Sequence, residues 1–403
     1  MFNGVHVKTV YIVTTVMFIL SYWIHLPAPF GPVSYYSDIT YLYHVIFGGG
    51  GRWFTHPSTY GVPYIDYFLE YPIIVGLCFA LASLPRLFLN EPVALLVFYH
   101  VMTLILYVAT VICIRECILL SMRLGLPIYR ILLFIPCTLS FIMYVVYNWD
   151  IIASAFMMMS IRLFLEGKYG KSALCLGLAI ASKLIPGVLI IPVVLYLSRV
   201  RDIVKYVVIV LATYFTLNLP VMVVNFEGWM RFWNYHLSWY IEGSWLILIF
   251  EYYDPIARLV SKILFAIVMV VLMIYVHVGK VIIKCKCSNV TSFIEVMFLF
   301  IAGALFSSYV FTPQMSLLLY PLIAITPSIP LILLYAFDIP NAAIMMFWFT
   351  YNEWLEEIFG FEVPVFTRTS PIALLIILKC FILLVMMIVV IKQRIRSGRR
   401  IIG

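Results

Sequence analysis

Long runs of apolar residues occupy most of this 403-residue chain and decide its fold class. Hydrophobic residues make up 65% of the sequence and charged residues only 11%, and the mean hydropathy is +1.08. A soluble domain carries roughly 25% charged residues, so a soluble enzyme and a nucleic-acid-binding protein are both excluded. The alternating segments of a membrane barrel are absent from the sequence. We therefore predict an all-α polytopic membrane protein, with residues 1–403 forming a single membrane domain.

Thirteen apolar segments are candidates for membrane crossings. They are 9–26, 72–88, 93–114, 131–147, 150–165, 172–182, 184–198, 206–224, 255–279, 291–310, 315–329, 331–349 and 369–391. Segment 9–26 lacks a small-residue cleavage site and is expected to be a retained first helix. Segment 72–88 is broken by Pro85 and Arg86 and is better interpreted as interfacial or re-entrant. About 12 transmembrane helices then remain.

The distribution of lysine and arginine orients these helices. With the N-terminus in the cytoplasm, most of the basic residues fall on the cytoplasmic side, including the basic tail at 392–403. Residues 27–92 then form a first extracytoplasmic loop, 225–254 a second and 350–368 a third, with transmembrane helices over 93–224 and 255–391. Of the eight cysteines, Cys78 alone falls in these loops, within the apolar segment 72–88, so disulfides are not expected, and Cys285 and Cys287 are interpreted as reduced thiols.

Acidic residues in the first loop are candidates for catalysis. Asp38 follows the first helix, where a carboxylate near the membrane surface could accept a proton from an acceptor hydroxyl. A helix N-cap or a solvated surface acid is the alternative. Asp66 and Glu70 are four residues apart and would share one face of a helix. Either could be a second acid or purely structural.

A lysine lies at a break between two short apolar segments. Lys183 separates 172–182 from 184–198, close to Pro186. An ammonium inside a membrane needs an anionic partner or water, which a lipid-linked phosphate would supply, although the side chain could instead reach the headgroups. Asp150, in the turn between two helices, could pair with Lys183 or cap the following helix.

Two further segments combine polar and aromatic residues. In the second loop, Arg231, His236, Glu242 and Trp245 are interleaved with other rings. An interfacial aromatic belt explains the rings but not the histidine and the arginine. Gln314 ends a polar break between two apolar helices. The glycines at 48–51 suggest a flexible loop.

Several segments taken together resemble membrane-embedded GT-C glycosyltransferases of family 87, which includes polyprenyl-phosphate-mannose-dependent mannosyltransferases. The matching pieces, spread over residues 35–325, are the tyrosine-flanked Asp38-Ile39, Glu70-Tyr71-Pro72, Asn148-Trp149-Asp150, Gly177-Leu-Ala-Ile-Ala-Ser-Lys183-Leu-Ile-Pro186, Tyr235-His236 with Glu242-x-Ser244-Trp245, and Phe311-Thr312-Pro313-Gln314. The chain departs from the family at Met315, where an aromatic residue is common, and lacks a second acid beside Asp38.

The resemblance implies a GT-C fold with short interfacial helices in the first extracytoplasmic loop. It implies an inverting transfer of a hexose, with mannose favoured, from a polyprenyl-phosphate donor to a glycolipid or glycan acceptor on the outer face of the cell membrane. Asp38 would be the catalytic base. Lys183, His236 and Arg231 would bind the donor phosphate. The expected substrate-binding residues are Asp66, Glu70, Asp150, Glu242, Trp245 and Gln314.

No cofactor is expected, and a divalent metal is possible but not indicated, because no metal-ligand spacing occurs in the sequence. The expected partners are the two substrates and membrane lipids, and no nucleic acid. A transporter or flippase of a polyprenyl-linked or amphiphilic substrate is the alternative, with Asp338 and Lys379 as candidate midplane charges. A non-catalytic membrane subunit is a third hypothesis. The sugar, the acceptor and the linkage are not determined by the sequence.

Overall fold

The computed structural model describes residues 2–55, 60–282, 290–359 and 370–402, and the side chains of 7–55, 60–278, 290–348 and 370–396. Within these residues the chain is helical, with three isolated β-bridges and no strand. Cys285 and Cys287 lie outside the described residues.

The helices follow one another with short connections. The first eight are α1 (Phe2–Ile24), α2 (Asp38–Phe47), α3 (Ile73–Ser83), α4 (Val93–Arg123), α5 (Tyr129–Phe134), α6 (Leu139–Tyr144), α7 (Asp150–Leu165) and α8 (Tyr169–Ser182). The others are α9 (Ile190–Tyr196), α10 (Val200–Val224), α11 (Phe226–Ser238), α12 (Pro255–Ile282), α13 (Val290–Ser307), α14 (Tyr320–Ile325), α15 (Leu331–Phe359) and α16 (Pro371–Ile402). Short 3₁₀ helices cover Leu84–Leu87, Ile185–Leu189, Trp245–Leu248 and Pro313–Leu318.

Seven of the described helices are long and apolar enough to cross a membrane. The segments are Val7–Ile24, Val93–Arg123, Val200–Val224, Pro255–Val278, Val290–Ser307, Leu331–Trp348 and Pro371–Arg396. The predicted all-helical, multi-pass membrane protein is therefore confirmed at this level.

The other predicted crossings are shorter or interrupted helices. Segment 131–147 divides into α5 and α6 around Pro136, because proline has no N–H to continue a helix. Segment 184–198 begins as a 3₁₀ turn and continues as α9. Segment 72–88, which was not expected to cross, contains helix α3, whose 11 residues form about 16 Å of helix and are too short to span a hydrocarbon core of about 30 Å.

Two predicted boundaries differ from the structure. Helix α15 continues to Phe359, beyond the predicted end at 349, so the first part of the expected loop 350–368 is helical. Helix α16 continues to Ile402 and includes most of the predicted tail 392–403. Both predicted ends were placed where the apolar residues stop. Polar residues favour water over lipid but are compatible with helical hydrogen bonding, so each helix continues beyond its apolar stretch.

Helices α7 and α13 form the centre of the bundle. Phe164 of α7 stacks on Phe293 of α13 with ring centroids 4.8 Å apart, and both rings are buried. Helices α10 and α12 lie at the periphery, where apolar side chains such as Val208 and Ile263 are more than half exposed. Exposed apolar faces on long helices are typical of surfaces that contact lipid.

The bundle has two chemically different ends. At the basic end, Arg123 donates to the carbonyl of Leu165 (2.7 Å) and Arg394 to that of Ser292. At the opposite end, called the loop end, the first loop (27–92) contacts the second loop (225–254). There Asn225 donates to the carbonyl of Ile65 at 3.1 Å.

Candidate functional site

A cavity of about 460 Å³ opens at the loop end of the bundle. Six of the candidate residues line it, namely Asp38, Glu70, Lys183, His236, Glu242 and Gln314. These residues come from both loops, from the break after α8 and from the 3₁₀ turn that follows α13. The fold therefore brings together charged side chains that are far apart in the sequence.

Asp38 lies at the first position of α2. Ser37, not Asp38, is the N-cap, since its hydroxyl accepts from the backbone N–H of Thr40 (3.4 Å). The hydroxyl of Tyr71 donates to Asp38 Oδ2 at 2.5 Å. Burial raises the pKa of Asp38 to about 7, the Tyr71 hydrogen bond opposes this increase, and nearby Glu70 adds to it. Asp38 can therefore gain or lose a proton near neutral pH.

Lys183 is held in the cavity wall by an ion pair. Its Nζ lies 2.8 Å from Oδ1 of Asp150, and the two side chains are 14% and 1% exposed. Helix α8 ends at Ser182, so Lys183 has an extended backbone at the break that the sequence indicated. Asp150, at the first position of α7, does not line the cavity. Its contact with a ligand in the cavity would be indirect, through the lysine.

Arg52 is a second cation in the cavity wall, and the sequence did not single it out. Its Nη1 lies 2.9 Å from Oε2 of Glu70, and both side chains are about four-fifths buried. It follows Gly49 and Gly51, whose φ angles of +92° and +74° favour glycine. The glycine run beside an arginine was the available signal, but without a strand and helix around it the run did not suggest a phosphate site.

His236 differs from its expected role. Its Nδ1 lies 2.8 Å from the carbonyl of Phe232, which can only accept, so the proton is on Nδ1. Burial lowers the pKa of His236. The ring is therefore neutral near pH 7 and presents Nε2 as a hydrogen-bond acceptor, which does not suit the phosphate-binding role expected of it.

Glu242 also lines the cavity, in a loop fixed to the bundle by backbone hydrogen bonds. Its N–H donates to the carbonyl of Tyr309 at 3.0 Å, and its own carbonyl accepts from Phe311 at 2.7 Å. The indole of Trp239 donates to Glu242 Oε2 at 2.7 Å. Burial raises the pKa of Glu242 to about 6 despite this hydrogen bond.

Two buried polar side chains of the wall have unused hydrogen-bonding atoms. Thr312 Oγ1 and Gln314 Oε1 have no hydrogen-bond partner among the described residues, and the side chains are 5% and 8% exposed. Asn341 holds this turn in place by donating to the carbonyl of Pro313 (3.1 Å) and to the hydroxyl of Ser316 (3.0 Å). An unpaired buried polar atom costs about 1–3 kcal/mol, so these atoms are suited to bind a polar ligand.

Besides Asp150, three predicted site residues lie outside the cavity. Arg231 is about half exposed, lies 3.6 Å from Glu227 and covers the ring of Phe54. Residues five apart on a helix point about 140° apart, which separates Arg231 from His236 on α11. The indole of Trp245 donates to the carbonyl of Phe306 at 2.8 Å, beneath the second loop.

Asp66 also lies outside the cavity, because the chain around it is not helical. Residues 63–71 form turns rather than a helix, so Asp66 and Glu70 do not share a helical face. Asp66 Oδ2 accepts from the backbone N–H of Val62 at 2.7 Å and stabilises its own turn.

The two candidate midplane charges are engaged within the protein. Asp338 is buried and accepts from the backbone N–H groups of Leu139 (2.8 Å) and Ser140 (3.0 Å) and from the hydroxyl of Tyr320 (2.7 Å). Lys379 donates to the carbonyl of Phe311 at 2.6 Å. Neither side chain lines the cavity.

In the part of the chain that the structure describes, no group of three or more His, Cys, Asp or Glu residues could hold a metal ion. Chemically, the cavity combines three carboxylates, of which Asp38 titrates near neutral pH, with two cations, a neutral imidazole and aromatic walls. This combination suits a ligand that carries both an anionic group and hydroxyls. No protein-family model matches the chain, and no curated protein matches it.

Proposed function

We propose that the protein is an inverting glycosyltransferase of the GT-C type that moves a hexose, with mannose favoured, from a polyprenyl-phosphate donor to a hydroxyl of a glycolipid or glycan acceptor. One observation carries the proposal: Asp38 and Lys183 line the same cavity. A base and a phosphate-binding cation are the two groups that such a transfer needs. The motifs that resemble family 87 supply both.

The proposed topology has about 12 crossings, made by the seven long helices together with the shorter and interrupted ones. The first loop would lie at the outer membrane surface, with α2 and α3 as its interfacial helices. The loop end would face out of the cell and the basic end the cytoplasm. The concentration of lysine and arginine at one end supports this orientation.

Lys183 is the residue proposed to bind the donor phosphate. Its ammonium is in the cavity wall and keeps donors beyond the one used by Asp150, because a lysine has three N–H groups. Leu184, Ile185 and Met315 line the same cavity and offer an apolar surface to the first isoprene units. Arg52 would provide a second positive charge.

Asp38 is proposed to act as the base. In its ionised form it would remove the proton from the acceptor hydroxyl as the oxygen attacks the anomeric carbon of the donor. The bond from that carbon to the phosphate oxygen would break on the opposite face, and its electron pair would stay on the phosphate. Attack from the face opposite the leaving group inverts the anomeric configuration, as in inverting glycosidases. Lys183 would stabilise the charge that develops on the phosphate.

The remaining polar groups are proposed to orient the sugar. Nε2 of His236 can accept from a sugar hydroxyl, and Gln314 and Thr312 can each bind another. Glu242, whose carboxyl group titrates at about 6, is a further acceptor. The aromatic rings in the cavity wall provide surfaces for packing against the apolar faces of sugar rings.

A doubly labelled donor distinguishes a transferase from a flippase. The donor would carry ³H in the sugar and ³²P in the phosphate, and the purified protein would be placed in sealed proteoliposomes with lipid extract as the source of acceptor. Transfer separates the two labels, because the bond between sugar and phosphate breaks. Movement of both labels together across the bilayer, without separation, would instead support the flippase. Arg231→Gln is the matched control for Lys183→Gln, since both remove one cation but only Lys183 lines the cavity.

A further inference from the structure

A second cavity, of about 400 Å³, lies at the basic end of the bundle, far from the site described above. It is bounded by the turn between α7 and α8 and by the first turns of α10. Its wall includes Lys168, Lys171, Asp202, Lys205, Tyr206 and Ile209. Three of these six side chains are lysines.

Two of the lysines have no acidic partner among the described residues. Lys168 lies 2.7 Å from Glu166, but neither Lys171 nor Lys205 forms an ion pair. Elsewhere at this end, Arg162 pairs with Glu166 and with the buried Glu116. Two helices thus direct unpaired ammonium groups to one cavity, where Asp202 is the one acid in its described wall. Three lysines against one aspartate leave the described wall with an excess of positive charge, which attracts an anion.

The other side of the cavity is apolar and adjoins the lipid-facing surface of α10. Ile209 and the ring of Tyr206 line it. The neighbouring side chains of α10 are largely exposed: Val204 is 55%, Val208 is 56% and Leu211 is 46% exposed. A ligand in this cavity would therefore have cations at one side and a hydrocarbon surface at the other.

We propose that this cavity binds the phosphate headgroup of an anionic phospholipid, with its acyl chains lying along α10. The ammonium groups of Lys171 and Lys205 would contact the phosphate, and the exposed valines of α10 would contact the chains. Lysine near a membrane surface attracts anionic lipid, and a compact ammonium is a common ligand for phosphate. The proposal does not depend on the proposed function.

Native mass spectrometry of the full-length protein in detergent tests the proposal, with dioleoylphosphatidylglycerol as the probe and dioleoylphosphatidylcholine as the zwitterionic comparison. We expect selective binding of the anionic lipid. The double variant Lys171→Gln/Lys205→Gln should bind it about thirtyfold more weakly, since each lysine contributes roughly a fivefold factor near such a surface. Equal binding of both lipids, or undiminished binding by the variant, would overturn the proposal.

Matched variants separate this site from general basicity and from misfolding. Arg201→Gln/Lys392→Gln removes two exposed cations from the same end but outside the cavity, and should leave binding within about twofold. Lys171→Arg/Lys205→Arg retains both charges and should bind like the wild type. Complete displacement of the lipid by inorganic phosphate would show that the cavity takes free phosphate, and would overturn the assignment to a phospholipid.

Discussion

Replacing Tyr71 by phenylalanine should raise the pH at which Asp38 ionises. The Tyr71 hydroxyl donates to Asp38 Oδ2 at 2.5 Å and therefore stabilises the ionised carboxylate. Phenylalanine removes this donor but keeps the ring, which packs 4.6 Å from the ring of Trp149 and lies beneath Lys183. The change is thus confined to one hydrogen bond.

The magnitude follows from the energy of that hydrogen bond. A hydrogen bond to a charged group contributes about 1.5–3 kcal/mol, and one pKa unit corresponds to about 1.36 kcal/mol. Losing it should raise the pKa of Asp38 by about one to two units from its value of about 7. At pH 7 the ionised fraction would fall from about one half to roughly 1–10%, so transfer should be about five to fifty times slower.

The assay is the pH dependence of kcat/KM for sugar transfer, because this parameter reports the pKa of the free enzyme. The acidic limb of the profile should move to higher pH in Tyr71→Phe, and the rate should recover on the alkaline side. Tyr41→Phe is the control, since Tyr41 lines the same cavity but does not bond to Asp38. An unmoved limb, a shift to lower pH, or a loss that alkaline pH does not restore would refute the role of Asp38 as a base tuned by Tyr71.

Three other substitutions test separate parts of the structure. Lys183→Gln should lower kcat by about 10²–10³ through lost stabilisation of the leaving phosphate, whereas Arg231→Gln should stay within about twofold; similar initial rates for the two would contradict this. Asp338→Ala should lower the free energy of unfolding by about 2–6 kcal/mol, because the buried N–H of Ser140 and the buried hydroxyl of Tyr320 lose their acceptor; thermal unfolding in detergent measures this loss, and an unchanged midpoint would count against it. Gly228→Ala should destabilise the contact between the loops, since a Cβ there would lie 1.9 Å from the carbonyl oxygen of Tyr64. Gly170→Ala should not, since its Cβ would lie 3.8 Å from the side chain of Ile209, and equal melting temperatures for the two variants would contradict the close approach at Gly228.

The helical elements follow closely from the sequence because their signals are local. Apolar length predicted the long helices, and the break at Lys183 was visible because a cation and Pro186 interrupt an apolar run. The number of membrane crossings is harder to predict from the sequence, since α5, α6 and α9 are each too short to be recognised as crossings by length alone. The count of about 12 therefore stays a prediction.

The candidate site could be predicted only in part from the sequence, because its geometry depends on irregular segments. Asp66 and Glu70 have helical spacing in the sequence but lie in turns, so one stabilises a loop and the other pairs with Arg52. The tautomer of His236 depends on a carbonyl four residues earlier in α11, a contact that composition does not reveal. Tyr71, which donates to Asp38, is brought to it only when the first loop folds back on itself.

The most direct test of the central claim is the transfer of labelled sugar from a panel of polyprenyl-phosphate sugars by purified wild-type protein and by Asp38→Asn, in native lipid extract and with donor binding measured in parallel. We predict that the wild type transfers sugar from at least one donor, and that Asp38→Asn still binds that donor but transfers nothing measurable. Equal transfer by both proteins would contradict the assignment of Asp38 as the base. Absence of transfer by the wild type with every donor would contradict the proposed activity itself.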